Sequence, residues 1–430
     1  MKKIDKYYIE KRKIIDVKIS DFKEYNIPKL LCCDIWNVID LTKKQVLMRV
    51  IAQLFCRVLH IIEDIDSSTS KNIAIEIKYS NDIRKDNQTI FNNIYRYLKP
   101  ASHFTVIKKY KLNILHFPYR FFYFCKYILS FKNISLKNKM FLSAQLMMLK
   151  DFQNNLAKNI KFKQYNKMLI FQEHDTISSF IIQTAQKQGV KVISPQHSYP
   201  MNRNEDFDQM FFEGFLVDYK LLWNEFIYKQ FLSANIDAKR LYIVGNTKLL
   251  NIVKNNVPQE KFFNYFGVTL EWPLNINADK NNLCLLEIAD KLAQKYDMTY
   301  IIKFHPADDI NKYNKILSSK YCKGVVDKNM SMSEYGEKVM FSLAHVTGAI
   351  IDLICDYRFV FIHKTEDINY PIETNNIYQF TNYAQLDSNF NIWKNNYDYY
   401  KQEYKKIVDK YYVKNAKELH DKVIYKILKE

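Results

Sequence analysis

Glycine is scarce, with seven residues in 430. The few that are present are therefore expected to mark places where the backbone needs special room. Acidic residues are missing from residues 87–150, where eleven lysines and arginines stand unanswered. No run is long and apolar enough to cross a bilayer. The best candidates, residues 46–62 and 117–131, are broken by Arg49 and Arg57 and by Arg120 and Lys126. The opening MKKIDKYYIEKRK has no apolar core behind its charges, so no secretory signal is expected. The seven cysteines are scattered and odd in number, and Cys32 and Cys33 are simply adjacent. This excludes a zinc spacing and fits reduced thiols in a cytoplasm. Internal repeats, a recognition-helix signature and an RNP-like motif are also missing, which argues against nucleic acid as the partner.

What remains is a chain built for large cores. Hydrophobic residues make up 48% and aromatic residues 15% of it. Its length suits two domains of ordinary size. A formal charge of +18 points to an anionic partner. The charge concentrates in residues 87–150, where aromatic residues interleave with it, as in FPYRFFYFCKYILSF. One reading is a solvated basic face over an aromatic core. The other is a patch resting on anionic lipid headgroups, as on the inner face of a cell membrane.

The clearest local unit is KMLIFQEHD, TISSFIIQTAQKQG, VKVISPQHSYP. It reads as strand, helix closed by Gly189, and strand, in the manner of a parallel βαβ unit. Strands are also expected at residues 71–80, 104–110, 241–245, 267–275, 298–306 and 359–363. Helices are expected at 43–62, 81–98, 219–237 and 283–296, and over most of 387–430. The alternation predicts an α/β fold of two Rossmann-like, doubly wound domains facing a cleft, with a helical tail. The expected spans are 1–230, 240–385 and 386–430.

In such sheets ligands sit at the carboxyl ends of strands, so residues just after predicted strands carry the candidate chemistry. MTYIIKFHP ends on His305, an imidazole able to donate to a phosphate oxygen, and Pro306 stops the strand behind it. Asp308 and Asp309 suit the first turn of a following helix. AHVTGAIIDLI offers Thr347 and Gly348 before a short helix, with Asp352 one turn further in reach of a sugar hydroxyl. The alternatives are a histidine bonded to a loop carbonyl and a Thr347 that only caps its helix. In the first half His197 follows a strand and suits proton abstraction. A buried structural histidine is its alternative, and Glu173 and Asp175 compete for the role of base.

These stretches together resemble the inverting GT-B-type glycosyltransferases of bacterial surface polysaccharide (capsule and lipopolysaccharide) synthesis. They are also similar to the CDP-glycerol glycerophosphotransferases and related capsule polymerases. The resemblance rests on Gln196-His197-Ser198, Lys303-Phe304-His305-Pro306 and Thr347-Gly348-Ala349-Ile350-Ile351-Asp352. It extends to YIVGNTKL, which contains Gly245 and resembles the strand opening the family's second domain. Ser198 and Gly348 depart from the family's usual glycine and serine. The resemblance implies metal-independent transfer from a nucleotide sugar to a saccharide or lipid-linked acceptor, without a cofactor, by a cytoplasmic enzyme peripheral to the membrane. It implies a donor site of Lys303, His305, Pro306, Thr347, Gly348, Asp352 and Gly245, with His197, Glu173 or Asp175 as base. Two rivals stand beside it: a polyol-phosphate transferase, and a non-catalytic scaffold or nucleic-acid-binding protein.

Overall fold

A computed structural model describes residues 3–64, 73–76, 89–90, 92–94, 102–110, 112–171, 173, 175–196, 212–250, 265–271, 277–305, 308–328, 330–345, 347–365 and 372–430. Among these the strands form two sheets. The first has seven strands: β1 (Arg57–Asp64), β2 (Ile73–Glu76), β3 (Ser102–Tyr110), β4 (Lys167–Leu169), β5 (Lys191–Pro195), β6 (Tyr219–Leu222) and β7 (Leu241–Ile243), in the order β1-β3-β2-β4-β5-β6-β7. All its pairs are parallel except β1 with β3.

The second sheet is wholly parallel. It contains β8 (Tyr265–Thr269), β9 (Thr299–Lys303), β10 (Cys322–Val325), β11 (Phe341–Ala344), β12 (Phe359–His363) and β13 (Gln379–Phe380), in the order β10-β9-β8-β11-β12-β13. Read in chain order this is 3-2-1-4-5-6, the doubly wound arrangement. β11 and β12 are buried along their whole length, as strands covered by helices on both faces must be.

Caps written in the sequence set several helix starts. Thr42 and Gln45 form a capping box at Lys43–Phe55, and Asn224 accepts from Ile227 N at Glu225–Ser233. The predicted βαβ unit is present, and Gly189 takes φ +83 at its helix stop. The helices Tyr383–Asn395 and Tyr397–Tyr411 pack on the second sheet, where Trp393 and Tyr404 meet Phe359 at ring distances of 5.0 and 4.6 Å. The last helix, Ala416–Lys429, instead returns to the first sheet. Its Ile424 and Ile427 complete an apolar cluster with Leu169, Ile193, Leu221 and Val244.

Three expectations need correction. The helix expected over 43–62 ends at Phe55, and Arg57–Asp64 is β1, paired to β3 from Arg57 opposite Tyr110 to Asp64 opposite His103. Long-range pairing decides a segment whose apolar residues suit either period. Tyr219–Leu222, expected as helix, is strand β6; Asn224 starts the helix only afterwards. Leu241–Ile243, expected to open the second domain, pairs with β6 and closes the first sheet. The helix expected over 81–98 lies mostly outside the described residues; residues 89–90 and 92–94 are helical.

Candidate functional site

The order 3-2-1-4-5-6 reverses direction between β8 and β11. Connections from these neighbours leave toward opposite faces and open a crevice at their carboxyl ends. Two fully buried residues meet there. Glu271, two residues beyond β8, places Oε1 3.9 Å from Nε2 of His345, which directly follows β11. The ring's other nitrogen, Nδ1, lies 2.7 Å from the carbonyl of His363 at the end of β12. A carbonyl only accepts, so Nδ1 carries the proton and Nε2 is the variable atom. The 3.9 Å separation is too long for a hydrogen bond, and the two form an ion pair when the ring holds its second proton. Asn281 Nδ2 donates to Glu271 Oε1 at 3.2 Å, and Glu271 N donates to Asn282 Oδ1 at 3.0 Å. The start of the helix Ala278–Tyr296 thus holds the acid in place.

His363 is itself buried. Its Nε2 lies 3.3 Å from the carbonyl of Thr381, and its ring stacks on Phe380 at 5.1 Å. Burial holds its pKa below the ordinary 6.5, against the pull of that carbonyl. The two imidazole centroids are 5.3 Å apart.

The expected donor-side residues fall around this centre in different ways. His305 is half-buried beyond the end of β9, and its carbonyl accepts from Asp308 N at 2.9 Å. Pro306 lies outside the described residues. Lys303 is buried, with Nζ 3.4 Å from the carbonyls of both Asp327 and Lys328. Thr347 Oγ1 accepts from Ala349 N at 3.4 Å, and Gly348 has φ −60, a value any residue adopts. Asp352 is buried in the helix Ala349–Cys355 and accepts from Asn246 Nδ2 at 3.0 Å and Lys248 Nζ at 3.2 Å. It ties the second sheet's helix to the segment that leaves the first sheet. Gly245 directly precedes Asn246, the partner of Asp352. It has φ +84, and a Cβ there would collide with Ala416, so it admits the returning last helix.

The first sheet's carboxyl edge is organised differently. Glu173, beyond β4, is buried and pairs with Lys220 of β6 at 2.9 Å; the same ammonium reaches Ser194 of β5 at 3.0 Å. Asp175 accepts from Ile177 N and Ser178 N, both at 3.2 Å, and from Ser178 Oγ at 2.7 Å, as the cap of the helix Thr176–Lys187. Gln196 is tied to the residue after β6: its Oε1 accepts from Trp223 N at 2.8 Å and its carbonyl from Trp223 Nε1 at 3.0 Å. His197 and Ser198 lie outside the described residues.

Glu271, His345 and His363 were not singled out in the sequence. The rule that found His305 applies to them as well, since each ends or follows an apolar run.

No protein-family model matches the sequence. No curated protein matches it either. Solved structures share its fold. UDP-GlcNAc 2-epimerase from Methanocaldococcus jannaschii, in complex with UDP-GlcNAc and UDP, is 13% identical with a TM-score of 0.50, over 83% of this chain and 99% of that one. The Neisseria meningitidis UDP-GlcNAc 2-epimerase, bound to UDP-GlcNAc, is 12% identical with a TM-score of 0.50, over 83% and 100%. A putative UDP-N-acetylglucosamine 2-epimerase from Listeria monocytogenes is 10% identical with a TM-score of 0.51, over 84% and 95%. The fold is of the GT-B type, two Rossmann-like α/β domains with a helical C-terminal region.

Proposed function

We propose that the chain is an enzyme of nucleotide sugars, and that it transfers the sugar to a saccharide or lipid-linked acceptor in bacterial surface polysaccharide synthesis. The observation that carries this is the buried Glu271–His345 pair at the switch point of a 3-2-1-4-5-6 sheet. Neighbouring strands are about 4.8 Å apart, so the ends of β9 and β11 flank β8 across roughly 10 Å. A donor diphosphate lying over that gap meets His305 on one side and Thr347 on the other, while the fully buried His345 holds the strand end rather than touching the donor. The fold's likeness to structures bound to UDP and UDP-GlcNAc supports a nucleoside diphosphate there.

In the proposed reaction an acceptor oxygen bonds to the anomeric carbon as that carbon's bond to phosphate oxygen breaks on the opposite face, which inverts the centre. The acceptor's proton passes to a base of the first domain. His197 is the proposed base and Glu173 its alternative. Asp175 is less suited, because three hydrogen bonds already occupy it. Donors aimed at the leaving phosphate stabilise its developing charge, so the reaction needs no metal.

A second reading is favoured by the comparisons: epimerisation of the sugar while it stays attached to the nucleotide. The deciding experiment has two stages. Thermal shifts with UDP, CDP, CMP, GDP and ADP, with and without EDTA, test the site; a selective, EDTA-insensitive rise is expected. No shift with any of them overturns the nucleotide-sugar reading and favours a scaffold. Product analysis then separates acceptor-dependent release of free nucleotide, expected for transfer, from an altered sugar still on its nucleotide. Phosphate in the product would mark a polyol-phosphate transferase.

A further inference from the structure

The helices Lys43–Phe55 and Phe117–Ser130 both lie on the long helix Leu136–Asn159. Val46, Val50 and Leu54 of the first, and Phe124 and Tyr127 of the second, are buried. An ordinary surface helix is polar on its opposite side. Here the outward sides are apolar as well. Leu47 and Ile51 are exposed on the first helix, and Phe121, Phe122 and Leu129 on the second, with Leu129 76% exposed. Leu115, just before the second helix, is 93% exposed.

Ring contacts join the two helices along this surface, and Phe122 and Leu129, seven residues apart, share one face of the second helix. Ile51 stands one turn before Phe55, Phe55 stacks on Phe117 at 4.4 Å, and Phe117 stacks on Phe121 at 5.6 Å. A contiguous exposed apolar surface of this kind marks an interaction site.

The surrounding charge selects the occupant. The helix Lys43–Phe55 and all of residues 87–150 lack acids. Much of the basic stretch is committed to the fold: Arg120 pairs with Asp151 at 2.9 Å, Lys126 and Lys150 with Asp21 at 2.6 and 3.5 Å. Lys137 donates to the carbonyls of Val38, Ile39 and Leu41. Among the described residues, the cations left exposed on the two outer helices and on the loop after the second are Lys43, Lys44, Arg49 and Lys132. A second copy of the chain would bring the same positive charge to this face. A bilayer of anionic lipid offers the opposite charge at its surface and an apolar layer directly beneath.

We infer that this face docks on an anionic lipid bilayer, with Leu115, Phe122 and Leu129 entering the acyl boundary and Lys43, Lys44, Arg49 and Lys132 at the headgroups. The inference goes beyond the nucleotide-sugar reading and does not depend on it.

The test is sedimentation of the full chain with vesicles of phosphatidylcholine alone and of phosphatidylcholine with phosphatidylglycerol. Binding is expected to the second kind, weakened but not abolished by high salt. Leu115→Glu with Phe122→Glu is expected to lower it about tenfold or more, since each change removes a large apolar side chain from the buried set. A second variant, Lys43→Ala with Lys44→Ala and Arg49→Ala, changes exposed positions alone and is expected to lose the phosphatidylglycerol preference. Nucleotide-induced thermal shifts, read on both variants, should match wild type, so failure of the sugar reading leaves this test intact. The inference is overturned if wild type binds neither vesicle or if both variants bind as wild type does. It is also overturned if wild type is a dimer that the glutamates make monomeric without any vesicle binding.

Discussion

The two sheets bury an acid at the same place, beyond a strand's carboxyl end, and answer it with different bases. Glu173 in the first sheet is met by an ammonium, Lys220. Glu271 in the second is met by an imidazole, His345. The Glu173–Lys220 pair, with Ser194, is a strut that joins the ends of β4, β5 and β6. An imidazole changes its charge near neutrality. The first edge carries a salt bridge shared by three strands, and the second sets a buried imidazole against a buried carboxylate.

The largest expected effect breaks the strut. Lys220→Met leaves Glu173 buried without its cation and should destabilise the protein by about 3–5 kcal/mol, read as a lower denaturant midpoint. Lys220→Met with Glu173→Gln should recover much of that loss. Next comes the second edge. His305→Ala should lower turnover of a nucleotide-sugar donor by about 10²–10³-fold, the size of losing one donor to a developing anion, and His345→Ala should lower it less, through the strand end that it holds. Their circular dichroism should be unchanged, and full activity in either would remove that side chain from the site.

A smaller effect concerns the link between sheets. Gly245→Val puts a side chain at φ +84 against Ala416 and should cost about 2–4 kcal/mol from left-handed strain and overpacking. Limited proteolysis should then release the last helix first. The smallest is a pH effect. His363 is held neutral by burial, so the unfolded chain binds a proton more readily as pH falls through 6.5. Stability should therefore drop from pH 7 toward pH 5 and level off below the folded pKa. His363→Gln should flatten that slope in denaturation curves taken at successive pH values.

The sequence revealed most where one local signal sufficed. The unit from β4 to β5 was legible because two apolar runs flank a capped helix that stops at Gly189. β6 was not, since its four residues include a lysine and run on into WNEF. Lys220 belongs in a buried strand only because Glu173 waits two strands away. β1 was masked by a helical period that its pairing with β3 overrides. At the candidate site His305 and Thr347 were visible as residues after strands. Glu271 and His345 follow the same rule, but they are 74 positions apart and meet only through the 3-2-1-4-5-6 order. Gly245 was read with the donor site through the likeness of YIVGNTKL to a family strand, while its contact with Ala416 could not be read, because that helix lies at the far end of the chain.

That helix also sets a timetable. The patch on the first sheet formed by Leu169, Ile193, Leu221 and Val244 is covered by Ile424 and Ile427. About 180 residues separate Val244 from Ile424, and at about 5–20 residues per second their synthesis takes roughly 10–35 s. For that interval the first sheet has been made but its apolar face has only Ile90 and Ile94 against it and lacks the last helix. The half of the protein translated first is therefore among the last to be finished, and a nascent chain cut short before residue 416 carries a sticky, incomplete first domain.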